Sequence, residues 1–169
     1  MKALLIIAKT GFQDHELQGT RTALLDHGFD VLLASTSIGA CTGKYGSMEQ
    51  VTIALKDVDV VDYDRIAFIG GPGAGSLVEN MDALRIARET VQAKKPLGAI
   101  CIAPLILAKA GVLQGKRATV WDDGEGTQKR ILASAGAEVV DQSVVVDGLI
   151  VTANGPTASG EFGRIIAQL

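Results

Sequence analysis

The chain has 169 residues, of which 47% are hydrophobic and 21% charged, with a formal net charge of -3, two cysteines and two histidines. This size and balance point to one globular domain over residues 1–169 and exclude a disordered chain. The charge leaves no basic footprint for nucleic acid and no apolar run is long enough to span a bilayer; two cysteines cannot form a disulfide framework, and two histidines outside any Cys/His cluster argue against a metal site.

The opening "MKALLIIAKTGF" has the Lys2 and apolar stretch of a short leader, but no small-residue cleavage site follows. Residues 3–8 are read instead as the first strand, covered on both faces. A helix is predicted over 14–27, ended by Gly28, and a second strand over 30–36. "GACTGKYGSMEQVTIAL" alternates and carries turn glycines, which predicts a small hairpin excursion. Residues 65–71 predict another buried strand, followed by the loop "GPGAGSLVENM" and a helix over "DALRIARETVQAKK". Then come the strand "LGAIC", a helix over 104–110, the strand-like "KRATVW", a helix near 126–134, the β-rich "VVVDGLIVTA" and a closing helix over "ASGEFGRIIAQL". This alternation predicts an α/β doubly wound fold: a mainly parallel sheet with helices on both faces.

Cys101 stands at the joint of "LGAICIAPLILAKAG", between a predicted central strand and a helix whose first turn holds Pro104. In open parallel sheets, reactive groups lie beyond the carboxyl ends of the strands. A tight strand-to-helix turn presents its apex side chain as a nucleophile elbow does. Helix amides would favour a thiolate there, and backbone N–H groups could receive an oxyanion. The same position also suits a buried cysteine that acts only as a small hydrophobe.

Four segments carry a resemblance. "AICIAP" resembles the cysteine elbow of the ThiJ/PfpI superfamily, "KALLIIAKTGFQDHEL" its first strand and acidic loop, "YDRIAFIGGPGAG" its Gly-Gly loop, and "VVVDGLIVTANGPTASGEFG" its closing segment. Their order along nearly the whole chain makes the combination specific. The resemblance implies a flavodoxin-like fold, shared with class I glutamine amidotransferases. It also implies a homodimer, and the apolar segment around 154–156 with a neighbouring helix is the suggested contact. It makes Cys101 the reactive cysteine and Glu16 the carboxyl beside its sulfur. Burial beside a thiolate would raise the pKa of that carboxyl. It places Gly70 and Gly71 opposite the cysteine, with the N–H groups of Gly71 and Ile102 as the oxyanion hole. Pro72 can donate none.

The departures from the family pattern bear on function. Peptidase-like members carry a histidine directly after the cysteine, where this chain has Ile102. Deglycase-type members have a histidine further along, where this chain has Trp121. Gln13 replaces a glutamate of the peptidase-type loop. These differences argue against proteolysis. His15 could line the pocket as a substitute acid or base, and Trp121 could form an apolar wall. Asp122 and Asp123 could reach the pocket or simply start a helix. His27 and Cys41 are expected to be structural or peripheral.

The expected function is therefore cofactor-independent, glyoxalase- or deglycase-like chemistry on a small aldehyde or glycated substrate, through Cys101 and Glu16. The alternative is a non-enzymatic stress protein whose Cys101 is oxidised or whose elbow only binds. A cytoplasmic setting, with neither nucleic acid nor membrane as partner, completes the expectation.

Overall fold

The computed structural model describes all residues, Met1–Leu169. Its strands form where the chain is apolar on both faces. In β1 (Lys2–Ile6), Leu4 and Ile6 enter one core and Ala3 and Leu5 the other. Side chains alternate across a strand, so burial on both sides needs an unbroken apolar run. β2 (Thr10–Phe12) is a short extension, followed by α1 (Asp14–Asp26) and β3 (Asp30–Ser35). β4 (Gly39–Gly43) and β5 (Met48–Val51) pair antiparallel, and β2 joins β4 to make a separate three-stranded sheet. The predicted hairpin excursion is thus present, with one strand more than expected.

β6 (Ile53–Ala54) returns to the main sheet, and β7 (Arg65–Phe68) is followed by a 3-10 segment at Pro72–Leu77 inside the predicted loop. α2 (Met81–Gln92) leads to β8 (Leu97–Ile100) and α3 (Pro104–Lys109). β9 (Arg117–Ala118), α4 (Thr127–Ser134) and β10 (Glu138–Val139) come next, then the hairpin β11 (Val144–Asp147) and β12 (Ile150–Ala153), and α5 (Ser159–Gln168).

The main sheet has the order β11-β12-β8-β7-β1-β3-β6, parallel throughout except for the β11–β12 pair. One face is covered by α2, α3 and α4 through Leu84, Ile86, Ile106, Leu107 and Leu132. The other is covered by α1 and α5 through Leu17, Leu24, Phe162 and Ile166. The strand-like "KRATVW" segment differs from the reading of its sequence. Only Arg117 and Ala118 are strand, and they pair with β10 outside the main sheet. The next residues peel away because other partners take their amides: Thr119 N–H donates to Thr152 Oγ1 at 2.9 Å and Trp121 N–H to the Cys101 carbonyl at 2.8 Å.

The chain runs from β1 to β3 on one side of β1, then returns to lay β7 on the other. The carboxyl ends of β1 and β7 therefore flank a switch in winding direction, where loops diverge and leave a crevice. The segments after β1, β7 and β8 carry Glu16, Gly70 and Cys101 respectively. No helix is long and apolar enough to cross a membrane.

Candidate functional site

Cys101 follows β8 directly and has φ 64°, a left-handed conformation that only one other non-glycine residue adopts. For a residue with a Cβ, that conformation costs about 1–2 kcal/mol. Two backbone hydrogen bonds hold it: Cys101 N–H donates to Ala153 O at 2.9 Å, and Cys101 O accepts from Trp121 N–H at 2.8 Å. The turn then enters α3 with Pro104 at its first position. The strand-to-helix turn expected from the sequence is thus present, and its strain sits on Cys101.

Glu16 lies in the first turn of α1 with no exposed surface. Carboxylates in that position are usually solvated, so full burial needs a cause. Gly70 N–H donates to Glu16 Oε2 at 3.0 Å, and Gly70 O accepts from Gln13 N–H at 2.9 Å. The loop after β7 and the start of α1 are thereby clipped together. A Cβ on Gly70 would lie 2.5 Å from Cys101 Cβ, 2.6 Å from Ile100 O and 2.7 Å from Glu16 Oε2. The missing side chain is what lets the carboxyl and the cysteine share one niche. Gly71 has φ 101°, and a Cβ there would meet the backbone of Gln13 and Gly11 at 2.5 Å.

The second oxygen, Glu16 Oε1, is buried with no hydrogen-bond partner. The carboxyl and the Cys101 thiol miss full hydrogen-bond geometry but are close enough to act on each other's ionisation. Burial raises Glu16 to about 7, against smaller downward pulls from Cys101, Gly70 N–H and Lys44. Near neutrality the carboxyl therefore carries a proton about half the time, and burial, not the sulfur, is the cause.

Cys101 departs from expectation. Burial and the negative charge of Glu16 push its thiol up to about 12, although the N–H groups of Gly71 and Ile102 pull it down. The expected standing thiolate is overruled by desolvation. A helix terminus offers a charge only ~0.3–1 kcal/mol, less than one pKa unit, and α3 is six residues long. The amides of Gly71 and Ile102 are nevertheless close enough to the sulfur to pull its pKa down.

Cys101, Gly71 and Ile102 open into a cavity of about 460 Å³. Pro72, Trp121 and Pro156 supply apolar wall, and Gln13 and Gln128 supply amides. Lys44 and Tyr45 complete it from the turn between β4 and β5. A larger surface groove of about 740 Å³ beside α2 contains no nucleophile and is not a candidate.

Other residues singled out from sequence fall outside the cavity. Gly70 is buried behind it. His15 is exposed, and its ring packs at 5.3 Å against Tyr45 instead of facing Cys101. His27 closes α1, with Nδ1 2.7 Å from Ala23 O. Asp122 and Asp123 order the loop before α4. Asp122 Oδ1 accepts from Gly124 and Gly126 N–H, and Asp123 Oδ1 accepts from Glu125 N–H. Cys41 is fully buried in β4. The sequence reading missed Lys44, Tyr45, Gln128 and Pro156. The only local signal for the first two is a cation–aromatic pair between the turn glycines of "GKYG".

The whole chain, residues 1–169, matches the model of the DJ-1/PfpI family. A protein of Methanocaldococcus jannaschii with no described activity is 36% identical over 163 residues, which covers 96% of this chain and 78% of the relative. A protein of Pyrococcus abyssi named a deglycase is 35% identical over 153 residues, 90% of each chain. Among solved structures, a ThiJ/PfpI domain protein from Brachyspira murdochii superposes with a TM-score of 0.94 at 28% identity, over 99% of this chain and 94% of that one.

Proposed function

The chain belongs to the DJ-1/PfpI family, and from that premise we propose that it converts small reactive carbonyl compounds, free or as adducts on amines and thiols, through Cys101 and Glu16. The observation that carries the proposal is a fully buried glutamate, its carboxyl pushed up to about 7 by that burial, beside a cysteine on a strained elbow. The deglycase name of the Pyrococcus abyssi relative supports the same class of substrate.

For a 2-oxoaldehyde the steps balance without a cofactor. Cys101 Sγ adds to the aldehyde carbon, and the thiol proton passes to the carbonyl oxygen by way of the Glu16 carboxyl. The N–H groups of Gly71 and Ile102 hold that oxygen while it is anionic. Ionised Glu16 removes the proton from the former aldehyde carbon and returns it to the adjacent carbon, while the hydroxyl proton of the first carbon passes to the carbonyl oxygen of the second. The first carbon is oxidised to a thioester and the second reduced to an alcohol. Water cleaves the thioester, frees the thiol and releases a 2-hydroxy acid. Methylglyoxal and water thus become lactate.

An aldehyde is electrophilic enough to accept the thiol without an imidazole base, and neither histidine lines the cavity. Oxidation sensing by Cys101 is the weaker reading. Peroxide reacts with thiolate, and burial holds this sulfur as a thiol. A homodimer through the segment around 154–156 also belongs to the proposal, and sedimentation velocity tests it separately.

The deciding experiment incubates the protein and its Cys101→Ser variant with methylglyoxal and measures lactate. Formation by the native chain at least about a hundredfold above the variant is the expected result, given what the loss of a covalent nucleophile removes. Equal rates at background level overturn the proposal.

A further inference from the structure

Lys44, an exposed residue at the cavity mouth, is the only formally charged residue lining the cavity around Cys101. No carboxylate lies within ion-pair distance of it, as for most lysines of the chain; only Lys109, Lys116 and Lys129 are paired with a Glu or Asp. Its only ring neighbour is Tyr45, over which Nζ lies 5.2 Å from the centroid. The carboxyl of Glu16 feels its charge but is buried with Gly70, and no acidic side chain lines the cavity. A protein of net charge -3 thus presents a positive site beside its nucleophile.

The turn that carries Lys44 is fixed in place. Lys44 N–H donates to Phe12 O at 2.7 Å. Asp14 Oδ2 accepts from Tyr45 N–H at 2.9 Å, and Oδ1 from Ser47 N–H at 3.0 Å. Burial pushes the Asp14 carboxyl up, but hydrogen bonding from the Ser47 side chain, and then from the Tyr45 and Ser47 backbone amides, holds it below its ordinary range, so the clamp is charged at neutral pH. His15 packs on Tyr45 from outside. Four consecutive residues therefore build the site. Gln13 lines the cavity, Asp14 clamps the turn, His15 backs Tyr45, and Glu16 reaches the sulfur.

We propose that Lys44 is a specificity-determining residue that selects carbonyl substrates bearing an anionic group, a carboxylate or a phosphate, at the end remote from the aldehyde. The inference rests on the carbonyl chemistry proposed above and narrows its substrate class. The apolar walls of Pro72, Trp121 and Pro156 suit the carbon skeleton, Cys101 takes the aldehyde, and Lys44 takes the charge. A neutral 2-oxoaldehyde leaves the ammonium without its ligand.

The test compares methylglyoxal with 4,5-dioxopentanoate, a 2-oxoaldehyde that carries a carboxylate and would yield 2-hydroxyglutarate. The native chain should prefer the anionic substrate in kcat/KM by about tenfold or more, the size expected of one charge-assisted hydrogen bond, and less so at high salt. In Lys44→Met the ratio of the two kcat/KM values should fall by about tenfold, and Lys44→Arg should restore most of it. The ratio is the readout because Lys44 also acts on Glu16 and so touches both rates. A ratio unmoved by Lys44→Met overturns the inference. A second arm needs no turnover. Glutarate should slow iodoacetamide alkylation of Cys101 in the native chain but not in Lys44→Met, and neutral glutaramide should protect neither. Equal protection by the two compounds, or none by glutarate, overturns the role of Lys44. Absence of turnover with both substrates, with glutarate protection intact, would overturn the enzymatic proposal and leave the anion site standing.

Discussion

Gly70 N–H donates to Glu16 Oε2 at 3.0 Å at a point where both residues are buried. One backbone amide is too little compensation for an ionised carboxylate out of water, and its other oxygen has no partner. The niche therefore favours the protonated acid, and the fold bears a stability cost whenever Glu16 ionises.

That cost has a definite pH window. Glu16 is raised from 4.5 to about 7 in the folded chain. Below 4.5 the group is protonated folded or unfolded, so its contribution to stability is fully present. Between 4.5 and 7 the unfolded chain releases the proton more readily, so stability declines, and the contribution is lost above 7. The ceiling on the decline is about 3.5 kcal/mol at roughly 1.4 kcal/mol per pKa unit. Glu16→Gln should flatten this part of the urea-unfolding profile, with its gain over the native chain largest on the alkaline side. It should also reduce carbonyl turnover to the level of Cys101→Ser.

Gly70→Ala should damage both stability and the site. Its Cβ would meet Cys101 Cβ at 2.5 Å and the fixed backbone oxygen of Ile100 at 2.6 Å, so the elbow or the loop must move. Overpacking of this kind costs typically ~1–3 kcal/mol. Denaturant midpoints should fall accordingly, and turnover should fall further than the midpoint alone accounts for.

The left-handed backbone of Cys101 can be weighed by itself. Cys101→Ala and Cys101→Gly both remove the sulfur, but only glycine tolerates φ 64° without strain. The glycine variant should be more stable than the alanine variant by about 1 kcal/mol, reduced by the extra entropy glycine loses on folding. A glycine variant less stable than the alanine variant by about 0.5–1 kcal/mol, the entropy cost of glycine alone, would show that the elbow stores no strain.

The two cysteines should differ in alkylation. With its thiol pushed up to about 12, Cys101 should react with iodoacetamide at a rate that keeps rising through the alkaline range and shows no plateau near neutrality. Cys41, with no exposed surface, should react only as the chain unfolds. Peptide mass mapping separates the two.

The fold is legible in the sequence wherever burial on both faces leaves an unbroken apolar run, as in β1, β7 and β8. Cys101 is legible as well, because a strand end meeting Pro104 is a local pattern. Glu16 is visible only through resemblance, since its burial comes from Gly70, 54 positions away. Lys44 and Tyr45 reach the cavity because β2 pairs with β4 and Asp14 clamps the turn, and nothing local encodes that packing. The state of the Cys101 thiol is not legible, because a helix start signals an anion-friendly place, whereas the depth of burial that overrides it is a tertiary property.

The proton on Glu16 can be followed directly by NMR titration of the side-chain carboxyl carbon in glutamate-labelled protein. The predicted midpoint is about 7, and it should stay raised in Cys101→Ala, because burial and not the sulfur is the largest cause. A midpoint in the ordinary range near 4.5 would mean that the carboxyl is solvated and ionised beside the thiol, and the proton-sharing pair would not exist.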